Sequence, residues 1–312
     1  MINRRHIRVK VMQSVYAMLQ SKNDDVLKEE KFLKYSILKM FDLYVLNLLL
    51  LVEVQKLAAK KIALSKKKIL ATSADLKPNT KFLENRLINK LAESISIEGY
   101  IELNKLNNWQ VDNEYVKIIF EALQKSDLYK KYLNTTENSY KVDTTFVIDF
   151  FKEIIAPNEK LADYFEDKMI SWVDDIPFVN TWVVKSLSKQ KESAPFVLGA
   201  LYKDKEDEDF VFNLFRKTVL KQQEYEQIIE EKTPNWETDR IAEIDMILIK
   251  MAITEFINFP SIPTRVTINE YIEISKDYST SKSSYFINGV LDKISKEFLA
   301  TKKIVKIGRG LL

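Results

Sequence analysis

Four cationic side chains within the first ten residues are the strongest chemical signal in this chain. Arg4, Arg5, Arg8 and Lys10 crowd the start of an expected helix over Arg5 to Ser21, and no acid occurs among residues 1–10. Cations at a helix N-terminus oppose the macrodipole, usually by a few tenths of a kcal/mol to about 1 kcal/mol each. An anionic partner would relieve that local penalty. The planar guanidinium fork meets phosphate or carboxylate oxygens two bonds at a time, so binding of an anion such as RNA phosphate is one reading of this cluster. A solvated basic start is the plain alternative. The same segment carries an apolar stripe, Val9, Met12, Val15, Tyr16 and Leu19, which turns one face of the helix toward a core.

Other chemistries are poorly supplied. The 312 residues include no Cys and one His, His6, so thiol chemistry, His-dependent triads and multi-histidine metal sites are excluded. The acidic pair Asp174-Asp175 and the run from Glu206 to Asp209 lack metal-ligand spacing, and no Gly-rich phosphate cradle is present. No cofactor is expected. Net charge is only +3, so any nucleic-acid affinity must come from where the charges sit. The most apolar run, Leu43 to Val52, spans ten residues and contains Asn47. That falls short of the roughly 20 residues a membrane span requires and predicts a buried helix segment. With no signal-peptide pattern at the N-terminus, a cytoplasmic protein is expected.

The elements that must position the basic cluster are helical. Five Gly and seven Pro among residues rich in Leu, Lys, Glu and Ile predict an all-α fold. From Asp25 to Leu70 the helical pattern has almost no breaker, and its length predicts an interruption somewhere within it. Its end carries Lys66, Lys67 and Lys68, a run read as a solvated face. Further helices are expected over 81–96, 113–133, 144–155, 158–171, 177–189 and 194–202, with Pro157, Pro177 and Pro195 near their starts. The polar segment from Asn134 to Tyr140 reads as a loop and a candidate boundary. Trp109, Trp172 and Trp182 read as core. Asp207 and Asp209 suit the start of a helix carrying Phe210, Leu214 and Phe215.

Residues 263–292 read as two consecutive helices. Thr267 and Glu270 have capping-box spacing, with Ile268, Tyr271, Ile272 and Ile274 behind them. The Ser-Thr-Ser run at 279–281 offers N-caps for the next helix, whose apolar positions are Phe286, Ile287, Val290, Leu291 and Ile294. Gly289 inside that helix predicts close approach of another backbone. Within this stretch Pro263, Val266, Ile268, Asn269, Glu270, Ile272, Glu273 and Lys276, followed by Ser283, Phe286, Ile287, Asn288, Gly289, Val290, Leu291 and Asp292, resemble the C-terminal signature of the NusB family of transcription antitermination factors. The likeness resumes upstream at Phe210, Leu214, Trp236, Asp239, Arg240, Ile241, Ile244, Asp245, Ile247, Leu248, Ala252 and Glu255, with Lys250 and Thr254 as departures. At the N-terminus, Arg4, Arg5, Arg8 and Tyr16 match the family's Arg-rich first helix. Together these segments cover about a third of the chain.

The resemblance implies two packed helical bundles, a large helical expansion of the N-terminal half, and a division into residues 1–205 and 206–312. It implies a non-enzymatic factor that binds boxA-type single-stranded RNA together with NusE, a small-subunit ribosomal protein, and acts on RNA polymerase with other Nus factors. Arg4, Arg5 and Arg8 are then the phosphate-binding residues, and Lys282 adds charge in the loop before the last helix. Tyr16, Tyr278 and Phe286 are candidate platforms for unstacked bases, although Tyr16 and Phe286 fit a core equally well. Asp239 and Asp245 are the positions expected to meet basic residues of NusE. The basic tail, from Lys293 to Arg309, reads as a solubilising end or a further contact with RNA. Two alternatives stay open: a helical protein scaffold without RNA binding, and an accessory domain of a ribosomal RNA methyltransferase system. No catalytic Cys, cofactor loop or α/β pattern supports an enzyme.

Overall fold

A computed structural model of the chain describes residues 1–67, 72, 76–234 and 241–307. Those residues form fifteen α-helices and no strand, so the all-α expectation holds. Two compact units emerge, residues 1–37 with 201–312 and residues 38–200. The division expected at 205/206 keeps the first helix with the expansion, whereas the packing joins it to the C-terminal helices.

In the first unit, α1 (Arg4–Gln20) starts at Asn3, whose side chain accepts from the His6 N–H at 2.7 Å. That is the Asx cap a helix start requires. The beginning of α2 (Val26–Ser65) follows, and then, after residue 200, come α11 (Lys205–Leu220), α12 (Gln222–Lys232), α13 (Glu243–Asn258), α14 (Thr264–Tyr278) and α15 (Ser283–Ala300). Helix α13 is the axis of this unit. Every residue from Asp245 to Phe256 is buried, so α1, α11, α14 and α15 pack around it. A helix buried on all sides belongs in a core, and the charged members of this one, Asp245, Lys250 and Glu255, are buried with it. Ile7, Val11, Met12 and Val15 from α1 join Phe210, Leu214, Tyr271, Ile287 and Leu291 there.

The second unit is built around the remainder of α2, whose run from Leu43 to Val52 is buried on nearly every side. No break interrupts its 40 residues. The continuous burial of its middle explains why: core packing, rather than propensity, stabilises a helix of this length. Around it lie α3 (Arg86–Ala92), α4 (Ile95–Asn104), the single turn α5 (Asn108–Val111), α6 (Asn113–Lys125), α7 (Asp127–Asn134), α8 (Tyr140–Phe150), α9 (Glu159–Lys168) and α10 (Ile176–Ser188). The tryptophans are core residues. Trp109 Nε1 donates to the Leu46 carbonyl at 2.9 Å, Trp172 Nε1 to that of Lys39 at 2.8 Å, and Trp182 stacks on Tyr44 with ring centroids 4.4 Å apart.

Several local expectations change. The single helix expected over 113–133 is two, because Ser126 takes an extended conformation and its hydroxyl caps the Tyr129 N–H at 3.1 Å. No helix forms over 194–202. The Ser94 hydroxyl donates to the Phe196 carbonyl and Ser96 Oγ accepts from Leu198 N–H, both at 2.8 Å, so side chains from α4 and its cap satisfy that backbone instead. The loop between α7 and α8 is not a division between units. Beyond its own helix turn, a Cβ added at Gly289 would meet no atom of the described residues within 4 Å, so no close approach among them explains this glycine. The tail is not merely a solubilising end: Ile304 and Lys306 are buried, and Ile307 N–H donates to the Pro260 carbonyl at 3.0 Å.

Candidate nucleic-acid interface

The three arginines of α1 are paired with four carboxylates carried by other helices. Arg4 donates through Nε to Asp207 and through Nη2 to Glu206, both at 2.7 Å. Arg5 makes a bidentate pair with Glu270, with both bonds at 2.9 Å. Arg8 makes one with Glu255 at 2.8 and 2.7 Å. The first turn of α1 holds no acid, so α11, α13 and α14 supply the countercharge that the sequence near Arg4 omits.

These pairs differ in their contact with water. Arg8 is 2% exposed and Glu255 is fully buried. The Glu255 carboxylate also accepts from Thr267 Oγ1 at 2.7 Å and Tyr271 Oη at 3.3 Å. A buried charge is tolerated when each of its lone pairs is engaged, as here. Burial alone would lower the Arg8 pKa, yet the Glu255 charge and hydrogen bonds outweigh it and the net shift is upward. Burial, followed by the Glu255 charge, holds the Tyr271 phenol well above its usual range. Arg5 is half-exposed, and its hydrogen bonds hold the Glu270 carboxyl below the ordinary carboxylate range.

Arg4, Arg5, Arg8 and Glu270 line one open groove of about 490 Å³, together with Asn3 and the segment Ser261 to Pro263 that leads into α14. The N-termini of α1 and α14 both end at this groove, and neither has an acid in its first turn. The positive ends of the two helices favour an anion there. Thr267 and Glu270, read as a capping box, serve other purposes. The helix begins at Thr264, so both lie inside it, with Thr267 on Glu255 and Glu270 on Arg5.

The remaining site candidates lie elsewhere on the first unit. Tyr16 is 38% exposed, three turns along α1 from Arg5. Tyr278 and Phe286 are half-buried and Lys282 is exposed, and these three flank the turn from α14 to α15. None of the four lines the arginine groove. The expected caps at 279–281 give way to Ser283, whose hydroxyl in the first turn of α15 bonds back to Ser279 at 3.0 Å and Thr280 at 2.8 Å. Asp239 lies outside the described residues. Asp245 is 4% exposed, and its Oδ1 has no hydrogen-bond partner among the described residues, so this acid faces inward rather than toward a partner protein. Lys250 is buried and pairs with Glu226, while Thr254 shares a 3.0 Å hydroxyl contact with Thr218.

Sequence reasoning misses Glu255, Tyr271 and the acids Glu206 and Asp207 as partners of the arginines. One signal is present: Arg8 falls on the same helical face as Met12 and Val15, so its charge has to be buried with a partner. Among the described residues no group of acids and histidines is placed to hold a metal ion, and no helix is long and apolar enough to cross a membrane.

Residues 183–296 match the model of the NusB family. The chain is 43% identical over 112 residues to a transcription antitermination protein NusB of Salinibacter ruber, a match covering 36% of this chain and 70% of that protein. It is 37% identical over 118 residues to the protein of the same name from Koribacter versatilis, covering 36% of this chain and 81% of that one. A third, from Chloroherpeton thalassium, is 40% identical over 104 residues, covering 33% of this chain and 49% of the relative. No solved structure matches at a significant level.

Proposed function

Because the chain belongs to the NusB family, we propose that it is a non-enzymatic transcription antitermination factor. In this reading it binds boxA-type single-stranded RNA together with NusE and acts on the elongating RNA polymerase with other Nus factors, in the cytoplasm. The observation that carries the reading is the arginine groove of the first unit, set between two helix N-termini that lack acids. Arg5 is the principal phosphate contact. It is half-exposed, and its pair with Glu270 leaves guanidinium donors free on the side of the groove. Arg4 assists from the rim. Arg8 shapes the groove through its bond to Glu255. Tyr278, Lys282 and Phe286 form a second contact at the α14–α15 turn, with Lys282 on phosphate and the two half-buried rings offering an edge to a base. Tyr16 is an exposed platform on the same unit. Asp239 is the proposed contact for NusE. Asp245 acts behind the surface, on the orientation of α13.

The test is equilibrium binding of a boxA-like RNA at two salt concentrations, with and without NusE, to the wild type and to Arg5→Ala. The expected result is salt-sensitive binding, strengthened by NusE and weakened at least several-fold by Arg5→Ala, with the salt slope falling by about 0.7 for the lost single-strand phosphate contact. Wild-type affinity and slope in Arg5→Ala would move the RNA away from this groove. Absence of RNA binding by the wild type, with NusE present, would leave the scaffold reading in its place.

A further inference from the structure

The second unit, residues 38–200, lies mostly outside the family match, and its charges are not evenly spread. No acid occurs from Val54 to Ala74, a stretch with Lys56, Lys60, Lys61, Lys66 and Lys67 on or just past α2. Along the seam between α2 and α6 run two consecutive grooves, which follow one another on both helices. The first, of about 320 Å³, is lined by Lys56, Lys60 and Lys117, with Glu53 as its one acid. The second, of about 540 Å³, is largely apolar, with Leu64, Phe120 and Tyr129 in its walls. Lys61 stands at the second groove with its ammonium 4.7 Å from the Phe120 ring centroid.

A helix C-terminus attracts lysines through its dipole, but that effect is confined to the last turn. Lys56 and Lys60 lie further back in α2, which ends at Ser65, and Lys117 lies in the N-terminal half of α6, where the dipole disfavours it. Lys56 is engaged by Glu53 at 2.8 Å. Lys60 and Lys117 are exposed and make no ion pair with a described residue. Lys60 and Lys117, brought together from two helices and paired with no carboxylate of a described residue, are a site for an external anion. The neighbouring groove adds an apolar, aromatic-walled space large enough for a planar ring. Alternating phosphate and base is the chemistry that fits such a pair of grooves, and only a single strand presents both.

We infer that the α2–α6 seam is a second RNA contact, seating phosphates between Lys56, Lys60 and Lys117 and an unstacked base beside Tyr129 and Leu64. This rests on the RNA-binding reading of the whole protein and extends it to the part outside the family match. The experiment uses the full chain, a fluorescein-labelled single-stranded RNA of about 20 nucleotides carrying a boxA-like sequence, and the double variant Lys60→Gln, Lys117→Gln. Both side chains are exposed, so the variant should keep the wild-type melting temperature. The expected result is a loss of affinity of at least fivefold and a salt slope lower by about 1.4, or 0.7 for each phosphate contact removed. Ultraviolet cross-links should map to the peptide containing Tyr129. Wild-type affinity and slope in the double variant, while Arg5→Ala weakens binding, would overturn the seam contact and leave the first-unit groove standing. Loss of binding in neither variant, or no binding at all, would remove both. Displacement of a polyglutamate probe from the seam, with no RNA cross-link there, would overturn the inference in favour of an acidic protein partner.

Discussion

Glu255 shows how one buried carboxylate organises its surroundings. It holds Arg8 by two bonds, accepts hydroxyls from Thr267 and Tyr271, and its backbone carbonyl takes the Lys306 ammonium at 3.3 Å. Removing one member of such a pair leaves an uncompensated charge in the core, which costs about 3–5 kcal/mol. Arg8→Met should therefore lower stability by that amount in a denaturant titration. Adding Glu255→Met should recover part of the loss, but not all, because the Thr267 and Tyr271 hydroxyls would lose their acceptor. A single variant with wild-type stability would contradict the geometry. Loss of RNA affinity in an Arg8 variant thus reports on folding first.

Lys306 is the second residue of consequence in this region. Burial pushes its ammonium down to about 8 from an ordinary value near 10.5, and the neighbouring Glu255 charge offsets only part of that. The unfolded chain keeps this proton up to about 10.5, so unfolding takes up a proton between those values. Stability contributed by this group must rise as pH increases from about 8 to 10.5, by about 1–3 kcal/mol. Denaturant midpoints of the wild type and Lys306→Met across that range give the comparison. The variant should show a smaller upward slope, and parallel curves would mean the tail ammonium stays protonated in the fold.

At the scale of elements, periodicity was legible in the sequence, and compensation by distant side chains was not. The extent of α1, to within a residue at each end, and most of the buried faces of α11 and α15 follow from spacing alone, whereas α13 is read through the family likeness. The capping-box reading of Thr267 and Glu270 fails because their partners, Glu255 and Arg5, sit on other helices. Likewise, the missing helix at 194–202 depends on Ser94 and Ser96, about 100 residues away. The arginine cluster is legible as a charge pattern, but its division into a buried Arg8 and a groove-facing Arg5 needs the packing. Gly289 reads in sequence as a contact point and is open in the fold. In an exposed helix interior glycine costs about 1 kcal/mol relative to alanine. Gly289→Ala should therefore stabilise the protein by roughly 0.5–1 kcal/mol in thermal or chemical denaturation. Destabilisation would show that another group occupies the space beside this position.

For the whole molecule, the consequence lies in how the chain closes its first unit. Residues 1–37 and 201–312 form one compact body although 163 residues separate them in sequence. The α1 side chains Ile7, Val11, Met12 and Val15 are buried in that body, and its cations meet acids on α11, α13 and α14. A fragment of residues 201–312 would expose the apolar faces that α1 covers and leave Glu255 buried without its arginine. Each buried aliphatic side chain contributes about 1.5–3 kcal/mol, so losing four together with a buried ion pair exceeds a typical domain's margin of 5–15 kcal/mol or comes close to it. That fragment should show helical far-ultraviolet circular dichroism with weak near-ultraviolet signal and a broad thermal transition. Adding a peptide of residues 1–37 should sharpen the transition and restore near-ultraviolet intensity in proportion to its concentration, as binding to the native state requires. Cooperative melting of the fragment alone, unchanged by the peptide, would mean that α1 is an attachment to this unit rather than part of its core.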